Sequence, residues 1–98
     1  MLYMTVFTFE PAHRDEIIKR RMQLGPQLPQ GMKLVGEYSY LGSGKVFRLV
    51  ENTMDDPTKM LEAIAPWTDL GKVEVYPVLE VDKVMEVYAK TAKTFAHV

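Results

Sequence analysis

Arg48 stands between Phe47 and Leu49, in a run whose other members are mostly apolar. A charge in such a place is costly unless a partner neutralises it. Glu37, in the run that precedes it across a glycine-bearing turn, is the natural counter-charge. Such a pair can be a cross-strand ion pair. It can also serve a pocket in which the carboxylate takes a proton and the guanidinium steadies an oxyanion. Tyr3, Thr5, Tyr38, Trp67, Glu74 and Tyr76 likewise place polar tips on otherwise apolar segments. A mainly apolar lining with a few converging polar groups is the usual make-up of a small-molecule site. The candidate ligand-binding residues are therefore Tyr3, Thr5, Tyr38, Trp67 and Tyr76. The candidate catalytic residues are Glu37, Arg48 and His13: Glu37 or His13 as base, Arg48 or Tyr76 as oxyanion stabiliser, with Trp67 shaping the pocket.

Other chemistries find less support. Gly42-Ser43-Gly44-Lys45 has the end of a phosphate loop, but Ser39 stands where an earlier glycine is required and Val46 where Ser or Thr should follow the lysine. A hairpin turn explains it better. The two histidines, His13 and His97, do not form a ligand set, and there is no cysteine, so neither metal nor cofactor is expected. Ser39 and Ser43 lack a base and an orienting acid nearby. Of the three stacking aromatics an RNA-recognition strand needs, the run Lys45–Asn52 keeps only Phe47, with Leu49 and Asn52 in the other places. Lys19, Arg20 and Arg21 read as a solvated helix end.

The elements that must position these residues follow from the pattern. Met32–Glu51 is two β-branched and aromatic runs around Leu41-Gly42-Ser43-Gly44, the form of a β-hairpin in which Gly42 and Gly44 are free to take positive φ. Leu2–Phe9 is a strand with apolar residues in both alternating sets, which predicts burial on both sides. Pro11 opens a helix to Leu24, stopped by Gly25-Pro26, with Ile17, Ile18 and Met22 as its buried stripe. Asp15 with Lys19 and Glu16 with Arg20 are spaced as i,i+4 ion pairs. Asp56 caps a second helix that begins at Pro57, and Pro66 ends it. Lys72–Val81 is a fourth strand, and Pro77 puts it at an edge. Asp82 caps a last helix, 82–96, striped by Val81, Val84, Met85, Tyr88, Ala92 and Phe95.

This order is βαββαβ with an added helix: one ferredoxin-like α+β domain over 1–98, with its core in 1–81. It predicts a four-stranded antiparallel sheet in the order 4-1-3-2 with two helices on one face. Two helices cannot cover both faces of a sheet that is apolar on both, so a homodimer packed through the open face is expected. A hydrophobic fraction of 47% in 98 residues agrees with a partner-covered surface. A net charge of −1 gives no case for nucleic acid or anionic membrane. No apolar run reaches membrane-spanning length, and no signal-peptide pattern opens the chain, so a cytoplasmic protein is expected.

Met-Leu-Tyr-Met-Thr-Val-Phe-Thr-Phe at the start, Pro29-Gln30-Gly31-Met32-Lys33-Leu34, and Phe47-Arg48-Leu49-Val50-Glu51 together carry a family resemblance. Pro66-Trp67-Thr68-Asp69-Leu70 and Glu74-Val75-Tyr76-Pro77-Val78 add to it. Over Met1 to Val81 the chain resembles a family of small prokaryotic proteins described as a domain of unknown function. The resemblance implies the dimeric α+β-barrel class and supplies no reaction. Three functions stay open: a dimer that binds a small apolar or aromatic molecule, a cofactor-independent monooxygenase- or isomerase-like enzyme, and a purely structural interaction dimer.

Overall fold

The hairpin forms where the turn chemistry puts it. Strands β2 (Met32–Ser39) and β3 (Lys45–Asn52) pair antiparallel. The Ser43 N–H donates to the Tyr40 carbonyl at 3.0 Å, and the Tyr40 N–H to the Lys45 carbonyl at 3.0 Å. Positive φ falls on Ser43 and Gly44, not on Gly42. A Cβ on Gly42 would lie 2.5 Å from the exposed ring of Tyr40, which would have to swing aside. The computed structural model describes residues 1–26 and 28–96, with side chains as far as Ala92.

Strand β1 (Leu2–Thr8) pairs antiparallel with β3 on one side and with β4 (Lys72–Val78) on the other. The sheet order is β2-β3-β1-β4; read from the β4 edge it is 4-1-3-2. Pro77 lies on an edge strand, where its missing N–H leaves no ladder bond unmade on the outer side. Register places Thr5 between Arg48 and Val75, and Phe7 between Val46 and Val73. Since side chains alternate along a strand, these residues share one face. Met4, Val6, Phe47, Leu49 and Tyr76 share the other.

The first face carries the helices. A 3-10 turn at Pro11–His13 leads into α1 (Arg14–Leu24), and α2 (Thr58–Ile64) runs into a second 3-10 turn at Ala65–Trp67. Pro11 thus starts a tighter turn, and the α-helix proper begins at Arg14, later than expected. Ahead of α2, Asp56 accepts hydrogen bonds from the Thr58 N–H at 3.0 Å and the Thr58 hydroxyl at 2.7 Å. Phe7, Ile17 and Leu70 form the buried cluster, with Phe9, Val46, Trp67 and Val73 against it. The Phe7 ring lies 5.5 Å from that of Phe9 and 6.1 Å from that of Trp67, both tilted, within the range favoured by aromatic pairs.

The expected α1 stripe is corrected: Ile17 is buried, but Ile18 is 50% and Met22 81% exposed. A helix laid on a small sheet buries a narrow line, and here that line runs from Ile17 to Arg21, one turn on. Of the expected α1 ion pairs, Glu16–Arg20 forms at 3.6 Å. The basic triplet is not simply solvated. Arg20 makes a two-pronged contact with Asp69 at 2.7 and 3.1 Å and reaches the Pro66 carbonyl, tying α1 to the α2–β4 link.

Helix α3 (Val81–Ala96) begins one residue before Asp82, which sits inside its first turn instead of capping it. Its apolar stripe exists but packs on little: of its described side chains only Val84 is other than exposed. The Cα radius of gyration is 17.1 Å, against about 13 Å for a compact domain of this length. Phe95 lies outside the described side chains.

Candidate functional site

Between α1, α2 and the sheet lies a cavity of about 320 Å³. Its floor is Thr5 and Phe7 of β1, Val46 and Arg48 of β3, and Val73 of β4. Ile17 and Arg21 of α1 form one wall; Ala63, Ile64 and Trp67 form another. Glu37, Tyr38 and Ser39 of β2 close the side. The walls are mostly hydrocarbon, and the charged groups gather at the β2 side.

Register explains that gathering. Glu37 is the partner of Arg48 across β2 and β3, and a bulge between Leu34 and Gly36 shifts the alternation of β2 by one residue. The shift puts Glu37 on the helix side together with Leu34. Glu37 Oε1 accepts from Arg21 Nη2 at 2.7 Å, and Glu37 Oε2 lies 3.0 Å from Arg48 Nε. The second contact is an ion pair by distance only. Nε and Nη2 of Arg48 are buried and make no hydrogen bond, because the N–H directions miss the carboxylate. Burial pushes the Arg48 guanidinium below its ordinary value; Glu37 offsets part of this, and Arg21 adds to it.

The remaining sequence candidates separate. Thr5 is buried on the cavity floor, and Trp67 lines a wall. Tyr38 borders the cavity, but its ring turns along the other face over Gly36, where a Cβ would lie 2.7 Å from the Tyr38 hydroxyl. Tyr3 borders a different, smaller depression of about 190 Å³ beside Asn52 and Met54. Tyr76 is on the helix-free face, where its hydroxyl donates to Glu74. That bond raises the phenol above its usual value. His13 is outside the cavity. Its Nδ1 lies 3.0 Å from the Leu70 carbonyl, which makes Nδ1 the protonated nitrogen. His97 lies outside the described residues. Tyr3, Tyr76 and His13 are thus not brought together with Glu37 and Arg48. Arg21 was the lining residue the sequence disguised; its position four residues after Ile17 is the signal that could have found it.

Among the described residues no three His, Cys, Asp or Glu side chains converge as a metal site requires. No helix there is long and apolar enough to cross a membrane.

The fold and cavity define an α+β protein built on one four-stranded antiparallel sheet, with a mostly apolar chamber on the helix side. The chain belongs to the family described as domain of unknown function DUF3303, which matches residues 1–92. That match runs past Val81 and takes in most of α3. No curated protein and no solved structure matched the chain.

Proposed function

We propose that this is a ferredoxin-like protein of the dimeric α+β-barrel class that holds a small apolar or aromatic molecule between its helices and its sheet. The cavity carries the reading: about 320 Å³ is at the lower end of small-molecule sites, roughly 300–1,000 Å³. Its walls are hydrocarbon and aromatic, with a few polar groups at one side. Binding is preferred to catalysis because both oxygens of Glu37 face guanidinium groups, which suits a fixed charge better than a proton carrier.

The homodimer is supported by the helix-free face. Met4, Val6, Phe47 and Leu49 lie side by side there, half-buried, with exposed Tyr76 beside them. A second copy laid on this face would bury it, and the free apolar stripe of α3 could reach across to the partner. Native mass spectrometry of protein purified from its own host tests both parts. The expected result is a dimer that releases a small molecule on activation. A bare monomer would overturn the reading.

A further inference from the structure

We propose that the molecule this cavity takes is a small carboxylic acid, seated with its carboxylate on Arg48 and its hydrocarbon part against Phe7, Ile17 and Trp67. The inference rests on the cavity reading above and names the ligand class. Two guanidinium groups, Arg21 and Arg48, face a single carboxylate, Glu37, and among the described residues no other charged side chain lines the cavity. The chamber therefore holds one net positive charge inside apolar walls. Arg21 is served: Nη2 bonds Glu37 at 2.7 Å. Arg48 is not, since its Nε and Nη2 make no hydrogen bond.

A buried donor without an acceptor is destabilising, and proteins keep such groups where an incoming partner completes them. Arg48 has little access to bulk water, since its side chain is only 14% exposed. Its strand partner Thr5 offers one hydroxyl, not a second carboxylate. What the guanidinium lacks is a hydrogen-bonded planar acceptor with two oxygens, and Arg48 lines the cavity that would admit one. A carboxylate fits that fork geometry. The remaining volume suits a short aliphatic chain or one aromatic ring.

Trp67 is the single tryptophan of the chain and lines the cavity, so its fluorescence reports occupancy directly. Wild-type protein and Arg48→Met are titrated with octanoate against 1-octanol and with benzoate against benzyl alcohol. Each acid is expected to bind wild type about tenfold or more tighter than its alcohol. Arg48→Met should bring acid and alcohol to within a factor of about three. Arg48→Lys keeps the charge without the fork, should lose most of the ratio, and serves if the methionine variant does not fold. Glu37→Gln removes the competing carboxylate and should tighten the acids further. Equal binding of acid and alcohol by wild type, or a ratio that survives Arg48→Met, overturns the carboxylate inference and leaves the apolar chamber standing. If neither acid nor alcohol perturbs Trp67 at millimolar concentration, the chamber reading fails and this inference with it.

Discussion

Arg48 Nε and Glu37 Oε2 lie 3.0 Å apart on paired positions of β3 and β2, yet no hydrogen bond joins them. The carboxylate is aimed instead at Arg21. The arrangement should show in stability as an asymmetry. Arg48→Met replaces an under-bonded buried charge with hydrocarbon of similar length, and Glu37 keeps its bond to Arg21, so no uncompensated charge is left and little loss is expected. Glu37→Gln leaves two guanidinium groups facing each other without a counter-charge. Because Glu37 is 28% exposed, solvent softens the loss, and about 1–3 kcal/mol is expected. Urea unfolding at pH 7 measures both. A methionine variant much weaker than the glutamine variant would mean that Arg48 is structural.

Phe7 is the centre of a small core. It packs on Ile17 and Leu70 and touches the rings of Phe9 and Trp67. Phe7→Ala should cost about 3–5 kcal/mol, a large part of the total of roughly 5–15 kcal/mol for a small domain. The variant should be largely unfolded near 45 °C, with Trp67 emission shifted to the red. A melting curve unchanged within a few degrees would place the core elsewhere.

Much of this plan was legible in the chain and some was not, for particular reasons. The hairpin, the element order and the edge position of Pro77 follow from local turn chemistry and alternation. The pairing of Glu37 with Arg48 follows from the hairpin alone. Tyr76 was misplaced because β4 is apolar in both alternating sets, and nothing local says which set meets the helices. The bulge after Leu34 is invisible in composition, yet it sets Glu37 on the helix side while Tyr38 only borders the cavity. Arg20 and Arg21 looked like a solvated helix end because their partners, Asp69 and Glu37, are distant in sequence. The detachment of α3 could not be read, since an apolar stripe announces a need for cover and not where the cover comes from.

Gly71 and Gly25 should respond differently to alanine. A Cβ on Gly71 would lie 2.3 Å from the backbone carbonyl of Thr8 and 2.6 Å from the Phe7 ring, so β4 or the ring must move. Gly25 ends α1 at φ +64° with open space around it, so alanine there meets conformational strain alone. Gly71→Ala is expected to cost about 1–3 kcal/mol and Gly25→Ala about 1 kcal/mol. Thermal unfolding of the two variants side by side checks the order. The reverse order would show that the Gly71 approach relaxes freely.

Hydrogen bonds from the Arg20 guanidinium hold the Asp69 carboxyl below its ordinary value, and those from Thr58 do the same for Asp56. A carboxyl whose folded-state value is depressed contributes stability that is fully present above its unfolded value, about 3.9. That stability is lost as pH falls through the folded value. Wild type should therefore be more stable than Asp69→Asn at pH 7. The two urea midpoints should converge on acidification, beginning below about pH 5. A gap that stays constant from pH 7 to pH 2 would show that Asp69 acts by shape and not by charge.

Leu49 pairs with Met4 at the middle of the helix-free face, away from the cavity. If two copies meet there, wild type should sediment at twice the protomer mass of 11.2 kDa. Leu49→Lys would put a charge at the centre of that contact, where it has no partner and cannot stay hydrated. Dissociation to monomer at micromolar concentration is expected, with the fold intact because this side chain is not part of the Phe7 cluster. Met22→Lys is the control: Met22 is 81% exposed on α1, on the opposite side of the sheet, and should leave the sedimentation coefficient unchanged. A dimer that survives Leu49→Lys and falls apart with Met22→Lys would move the interface to the helix side. It would then close the mouth of the cavity rather than cover the bare face of the sheet.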